Sequence, residues 1–191
     1  IMNGEEGIEI WNTPMTSDIQ VVNSTITDAE IGIYINNYDG YNSAAPDPTH
    51  AIIDNANISG GDYGIYILDN VELGTQPVSA EIKGNTDVTT NMINGSGIAV
   101  RGDRASAVID DNLMSISGND VGILVDAGMA TITNNTITMN NTGVRFESTG
   151  TGVVNENNIF DNVNFGVENL TGSSIDATLN WWGDVSGPSG E

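Results

Sequence analysis

The chain has 191 residues, no cysteine, and 26 acidic against 4 basic side chains, for a formal net charge of −22. Such a surface repels DNA, RNA and anionic lipid, which excludes nucleic acid as a partner, and the lack of cysteine excludes disulfides and thiolate metal sites. No run of 18 apolar residues occurs, so no membrane insertion is expected, and the length suits a single domain over residues 1–191.

From the N-terminus, Ile1-Met2-Asn3-Gly4 starts part-way into a structural unit with no capping helix, as in a mature product or a piece of a longer protein. Gly7-Ile8-Glu9-Ile10 then reads as a short strand. The same restart, a glycine followed by Ile or Val that opens an alternating stretch, recurs at Gly32, Gly64, Gly97, Gly122, Gly143 and Gly166. The spacings are 25, 32, 33, 25, 21 and 23 residues. Ahead of each later glycine sits a triplet centred on an apolar residue, at Ile26, Ile58, Val88, Ile116, Ile137 and Ile159. Thr178-Leu179-Asn180 would open a further turn. Between glycine and triplet, Val21-Val22, Ile52-Ile53, Ile82, Val108-Ile109, Ile132 and Val153-Val154 supply another strand.

Period-2 alternation over a few residues, cut by Gly, Asn and Asp, is a strand-and-turn signal, and no window carries a helical stripe. Strands this short bury a face only when stacked on copies of themselves. The expected class is therefore all-β, and the period resembles that of a right-handed parallel β-helix, a solenoid of 7–8 turns with three short strands each. At ~4.8 Å per turn the rod would be ~35–40 Å long. A β-sandwich fits less well, because its strands are longer and carry no repeated Gly-Ile register. Asn23, Asn55, Asn85 and Asn134 each lie three residues before a triplet's apolar residue, so they are expected to form a structural ladder at one corner. The repeated glycines are expected to serve a turn or a bulge.

Two insertions, residues 36–50 and 68–79, leave directly after the glycine strand of consecutive turns, so they should emerge side by side. That edge gathers the candidate ligand-binding residues Trp11, Tyr38, Asp39, Tyr41, Asp47, His50, Asp69, Glu72, Arg101 and Asp103. Loops on a rigid scaffold commonly carry function, and aromatics beside carboxylates suit a sugar or a protein contact.

The chain closes on Asn180-Trp181-Trp182-Gly183-Asp184-Val185-Ser186-Gly187-Pro188. An N-W-W-G-D-x-x-G-P tail after Asn- and Gly-punctuated turns resembles the repeat-containing right-handed β-helix proteins of bacterial and archaeal cell surfaces. The resemblance spans essentially the whole chain and implies the fold, which hosts lyases, adhesins and scaffolds alike. Residues 178–191 are expected to cap the stack, with Trp181 and Trp182 over its open apolar end.

Lyases that resemble this fold use Lys or Arg as the base. Here Lys83, Arg101, Arg104 and Arg145 are dispersed, so no catalytic residue is assigned and no enzyme is expected. No cofactor is required. Calcium is weighed at the acidic turns around Asp110, Asp111, Asn119, Asp120 and Glu156, although no complete loop motif is present. Sequons at Asn57, Asn94, Asn140 and Asn169 are glycosylation candidates in an extracellular setting. The expected role is a structural module of an extracellular surface layer, sheath, filament or adhesin. Its expected partners are its own copies or neighbouring domains of the same surface protein. Carbohydrate binding along the loop edge and a polysaccharide lyase activity are the alternatives.

Overall fold

A computed structural model describes residues 5–11, 19–37, 48–70, 76–84, 86–90, 94–113 and 115–188. Among these residues there are nineteen strands and no helix. The first turn comprises β1 (Glu6–Trp11), β2 (Ile19–Val22) and β3 (Thr25–Thr27), and the second β4 (Ile31–Asn36), β5 (Thr49–Asp54) and β6 (Asn57–Ser59). The third holds β7 (Tyr63–Leu68), β8 (Val78–Lys83) and β9 (Asp87–Thr89), and the fourth β10 (Ser96–Arg101), β11 (Ala105–Asp110) and β12 (Ile116–Ser117). β13 (Val121–Asp126), β14 (Met129–Thr133) and β15 (Thr136–Thr138) form the fifth, and β16 (Thr142–Glu147), β17 (Thr151–Asn155) and β18 (Asn158–Phe160) the sixth. β19 (Phe165–Asn169) opens a seventh.

Every third strand stacks in parallel on its counterpart, giving one seven-stranded and two six-stranded sheets around a common core. In the seventh turn the second and third sheets shrink to single parallel bridges, Val153 to Asp176 and Asn158 to Trp181. The stack is thus six complete turns and a partial seventh. Thr178-Leu179-Asn180 does not open an eighth: Leu179 bends the chain with a φ of 61°, and the third side of the seventh turn begins at Trp181, three residues later than the pattern suggested.

Like side chains stack on like. Ile33, Ile65, Ile98, Ile123 and Val144 form one inward column of the first sheet. The second sheet contributes Ala51, Ala80, Ala107 and Ala130 beside Ile53, Ile82, Ile109 and Ile132. The third contributes Ile26, Ile58, Val88, Ile116, Ile137 and Ile159. All of these are buried, and each large aliphatic stabilises the fold by about 1.5–3 kcal/mol relative to exposure.

The repeated glycines do not serve a left-handed turn, because none of the seven has a left-handed φ. They form a column in which backbone meets backbone. A Cβ on Gly32 would lie 2.6 Å from the carbonyl oxygen of Gly64, and one on Gly97 2.7 Å from that of Gly122. The requirement is close approach between turns.

The expected corner ladder is present in part on the surface. Asn23, Asn55 and Asn134 take the left-handed corner, with φ of 51°, 52° and 55°, and Asn55 Nδ2 donates to Asn23 Oδ1 at 2.6 Å, whereas Asn134 donates to Asp110; Asn85 lies outside the described residues. A buried ladder runs one residue later. The buried column is Asn112, Asn135, Asn157 and Asn180. Asn135 shows the bonding: its Oδ1 accepts the backbone N–H and the Nδ2 of Asn112 at 3.2 and 2.9 Å. Its Nδ2 donates to the carbonyls of Ile109 and Thr133 at 2.8 and 2.7 Å and to Asn157 Oδ1 at 3.0 Å. A second ladder, Asn119, Asn140 and Asn162, fills the corner after the third sheet in the same manner.

Candidate functional site

Trp11, Asn36, Leu68 and Arg101 stand in one register row at the end of the first sheet, so both insertions do leave side by side. Strands take in their margins, since β4 keeps Asn36 and β5 begins at Thr49. Of the expected edge residues, Tyr38, Asp39, Tyr41, Asp47 and Glu72 lie outside the described residues. Trp11 ends β1 with its side chain exposed, and Asp103 sits exposed in the turn after β10.

Asp69 is a structural staple, which corrects its reading as a ligand residue. It is buried and accepts from Asn37 Nδ2 at 2.6 Å, from the Arg104 backbone N–H at 3.0 Å and from Arg104 Nη2 at 2.7 Å. Asn37 in turn donates to the Gln76 carbonyl at 2.7 Å and accepts from the Asn70 N–H at 2.7 Å. This network ties the start of one insertion to both margins of the other. His50 stands on a coil strand, β5, and not in the preceding Pro-rich loop. Its Nδ1 lies 2.8 Å from Ser79 Oγ on the second sheet, where the two insertions return to the coil.

The outer face of the first sheet carries what sequence reading missed. Outward positions alternate with the core residues, and the Gly-Ile-Tyr-Ile strands of the second and third turns put Tyr34 and Tyr66 in register there. Their rings stack with centroids 5.5 Å apart, and Tyr63 stacks on Tyr66 at 4.6 Å. The Arg101 guanidinium lies 6.0 Å from the centroids of both Tyr63 and Tyr66 and pairs with Asp126 at 3.5 Å. Ala99, Val121 and Leu124 form a small buried cluster against the same tyrosines. Burial, then the negative neighbours Tyr66, Glu9 and Glu6, push the Tyr34 hydroxyl up to about 12, so it remains a neutral donor. The signal was present in the sequence as two aromatic residues at identical positions of adjacent repeats.

The acidic turns do not converge. Asp110 accepts from Thr133 Oγ1 at 2.7 Å and Asn134 Nδ2 at 2.9 Å, and these bonds hold its carboxyl below the usual range. Asp111 and Glu156 occupy the left-handed corner position of different turns. Asp120 accepts from Asn141 at 2.6 Å. Asn119 is buried in the second ladder, so it cannot serve as a surface calcium ligand. Among the described residues no three His, Asp or Glu side chains are grouped to hold a metal.

Asn57 and Asn94 are exposed. Asn169 is exposed with Oδ1 accepting from Thr171 Oγ1 at 2.7 Å. Asn140 is 1% exposed in the second ladder, which closes it to glycosylation. Of the two C-terminal tryptophans Trp182 packs against the core; Trp181, one residue earlier and of opposite parity, faces outward at 45% exposure, so the expected pair of capping tryptophans reduces to one.

The sequence family described as the right handed beta helix region matches residues 6–181. The chain belongs to this family. No curated protein and no solved structure is matched by the chain. Right-handed β-helices support several kinds of function on one scaffold, so activity has to be argued from side chains. In this β-helix each basic side chain has a carboxylate partner. Lys83 meets Glu81 at 3.0 Å, Arg104 meets Asp69 at 2.7 Å, Arg145 meets Glu168 at 2.6 Å, and Arg101 pairs with Asp126 as above.

Proposed function

We propose that this β-helix is a rigid, acidic structural module of an extracellular surface layer, sheath, filament or adhesin. The observation that carries the reading is the unbroken stack. One apolar core and two buried asparagine ladders run through consecutive turns beneath a surface of net charge −22. A solenoid of this kind holds its length through nearest-neighbour contacts, and its charge keeps it hydrated. The four ion-paired basic side chains favour a role without a chemical step; an unsaturated-uronate absorbance assay tests the lyase alternative. Immunogold labelling of source cells tests the reading itself. Label confined to the cell envelope is the expected result, and label spread through the cytoplasm would overturn it.

A second reading, glycan binding, is favoured by the cluster of Tyr34, Tyr63 and Tyr66 with Arg101 beside it. The ring faces pack on one another, so the ring edges, hydroxyls and guanidinium form an aromatic ridge with donors along it. On a glycan array, binding that disappears in Tyr66→Ala would move the assignment to this reading.

A further inference from the structure

The corner between the second and third sheets changes character along the stack. From the fourth turn onward its inward position is held by the buried asparagines Asn112, Asn135 and Asn157, whereas the first two turns place Ser24 and Ala56 there. Beside these shorter side chains the surface opens into a cleft of ≈ 420 Å³, lined also by Asn23, Thr25, Asn55, Asn57 and Asp87. Thr25, Asn57 and Asp87 stand in one register row of the third sheet. Asn23 and Asn55 stand in the corner row next to it, where Asn55 Nδ2 donates to Asn23 Oδ1 at 2.6 Å. That bond leaves Asn55 Oδ1 free to accept from a further donor.

Asp87 is the one ionisable group in this lining among the described residues. Its Oδ1 is buried without a hydrogen-bond partner, and burial raises its carboxyl above the usual range. No basic side chain lines the cleft to offset the charge; Lys83, at the end of the preceding strand, is held by Glu81 at 3.0 Å. A desolvated carboxylate with no partner works against the fold, and perturbed carboxyls in clefts gather at sites of function.

We propose that this corner cleft binds a primary ammonium group, carried by an amine or an amino sugar, with Asp87 as its counter-ion and the side-chain oxygens of Asn55 and Asn57 as further acceptors. An ammonium brings three donors and the positive charge that the lining lacks. The terminal torsion of an aspartate is broad, so a small rotation turns Oδ1 towards a donor in the cleft. Calcium fits less well, because it takes six to eight oxygen ligands and no three His, Asp or Glu side chains are grouped among the described residues. A neutral hydroxyl would bond the oxygen yet leave its charge uncompensated. The net charge of −22 draws cations to the whole surface, but among the described residues only Asp87 keeps a carboxylate oxygen buried without a partner. The site is separate from the tyrosines of the first sheet and independent of both readings above.

NMR titration of the full chain with glucosamine tests it, with glucose as the neutral counterpart and sodium chloride matching the ionic strength. The expected result is a saturable shift of the Asn57 and Val88 amide signals by glucosamine, with no comparable shift from glucose or salt. Asp87→Asn keeps the side-chain shape and removes the charge, so it should abolish the saturable shift while the amide signals of the other turns stay in place. Asn57→Ala should weaken binding severalfold. Shifts spread evenly over the acidic surface, an equal response to glucose, a response retained by Asp87→Asn, or binding unmoved by Asn57→Ala would each overturn the proposal.

Discussion

A buried asparagine in this protein does the work of several backbone partners at once. Asn135 accepts from the turn before it and donates both to that turn and to the turn after it through a single amide. Its replacement by alanine leaves the Asn112 N–H and the Ile109 carbonyl buried without partners, at about 1–3 kcal/mol for each such group. Asn135→Ala should lower the unfolding free energy by about 3 kcal/mol in urea titration, and a change below ~1 kcal/mol would show that water replaces the ladder. Asp87 is the opposite case. Burial raises its carboxyl above the usual range, against a lowering bond from the Val88 N–H, and its Oδ1 has no hydrogen-bond partner. The folded state therefore holds this proton more tightly than the unfolded chain. Its ionisation works against the fold at neutral pH, and that penalty fades as pH falls through the folded value towards the unfolded one. Asp87→Asn should stabilise the protein at neutral pH and have a smaller effect in acid, as read from thermal melts across pH. Equal melting temperatures at neutral pH would show that the carboxylate is solvated.

At the scale of elements, the turns are not equivalent. Both ladders are asparagine only from the fourth turn onward. Earlier turns put Ser24, Ala56 and Thr86 at the first corner, and Ala29, Gly61 and Thr90 at or beside the second. The earlier turns also carry both insertions, whose margins depend on the Asp69 staple. Opening free energies in a stacked protein are set locally. Amide exchange should thus be slowest in β14, β15 and β16 and faster in β2, β3, β5 and β6. Uniform exchange would mean that the whole stack opens as one unit.

For the whole molecule, charge sets the conditions of stability. A net charge of −22 on a short rod repels itself within the folded state, and the repulsion is screened as the Debye length falls from ~10 Å at 0.1 M to ~3 Å at 1 M salt. The melting temperature of the isolated protein should rise by several degrees over that range, measured at a concentration where the chain is monomeric. An unchanged value would place the acidic side chains too far apart to interact.

The repeat was legible because stacking imposes it. Each turn must place an aliphatic residue over the one below, so Ile26, Ile58 and Ile137 announce the third sheet, and Gly32, Gly64 and Gly97 the first. The side-by-side exit of the two insertions followed from the same register. What sequence periodicity does not contain is which of two adjacent residues turns inward at a corner. Asn134 and Asn135 are the same residue type, and only the left-handed backbone at Asn134 sends its neighbour into the ladder. Trp181 and Trp182 present the same ambiguity, resolved by the bridge from Trp181 to Asn158. Glycine spacing could not separate a bend from close approach, because the partner oxygen belongs to the next turn, 21 to 33 residues away. The fate of Asp69, the tyrosine ridge and the cleft at Asp87 was likewise decided in three dimensions, since each depends on side chains of different turns meeting at distances that sequence separation does not encode.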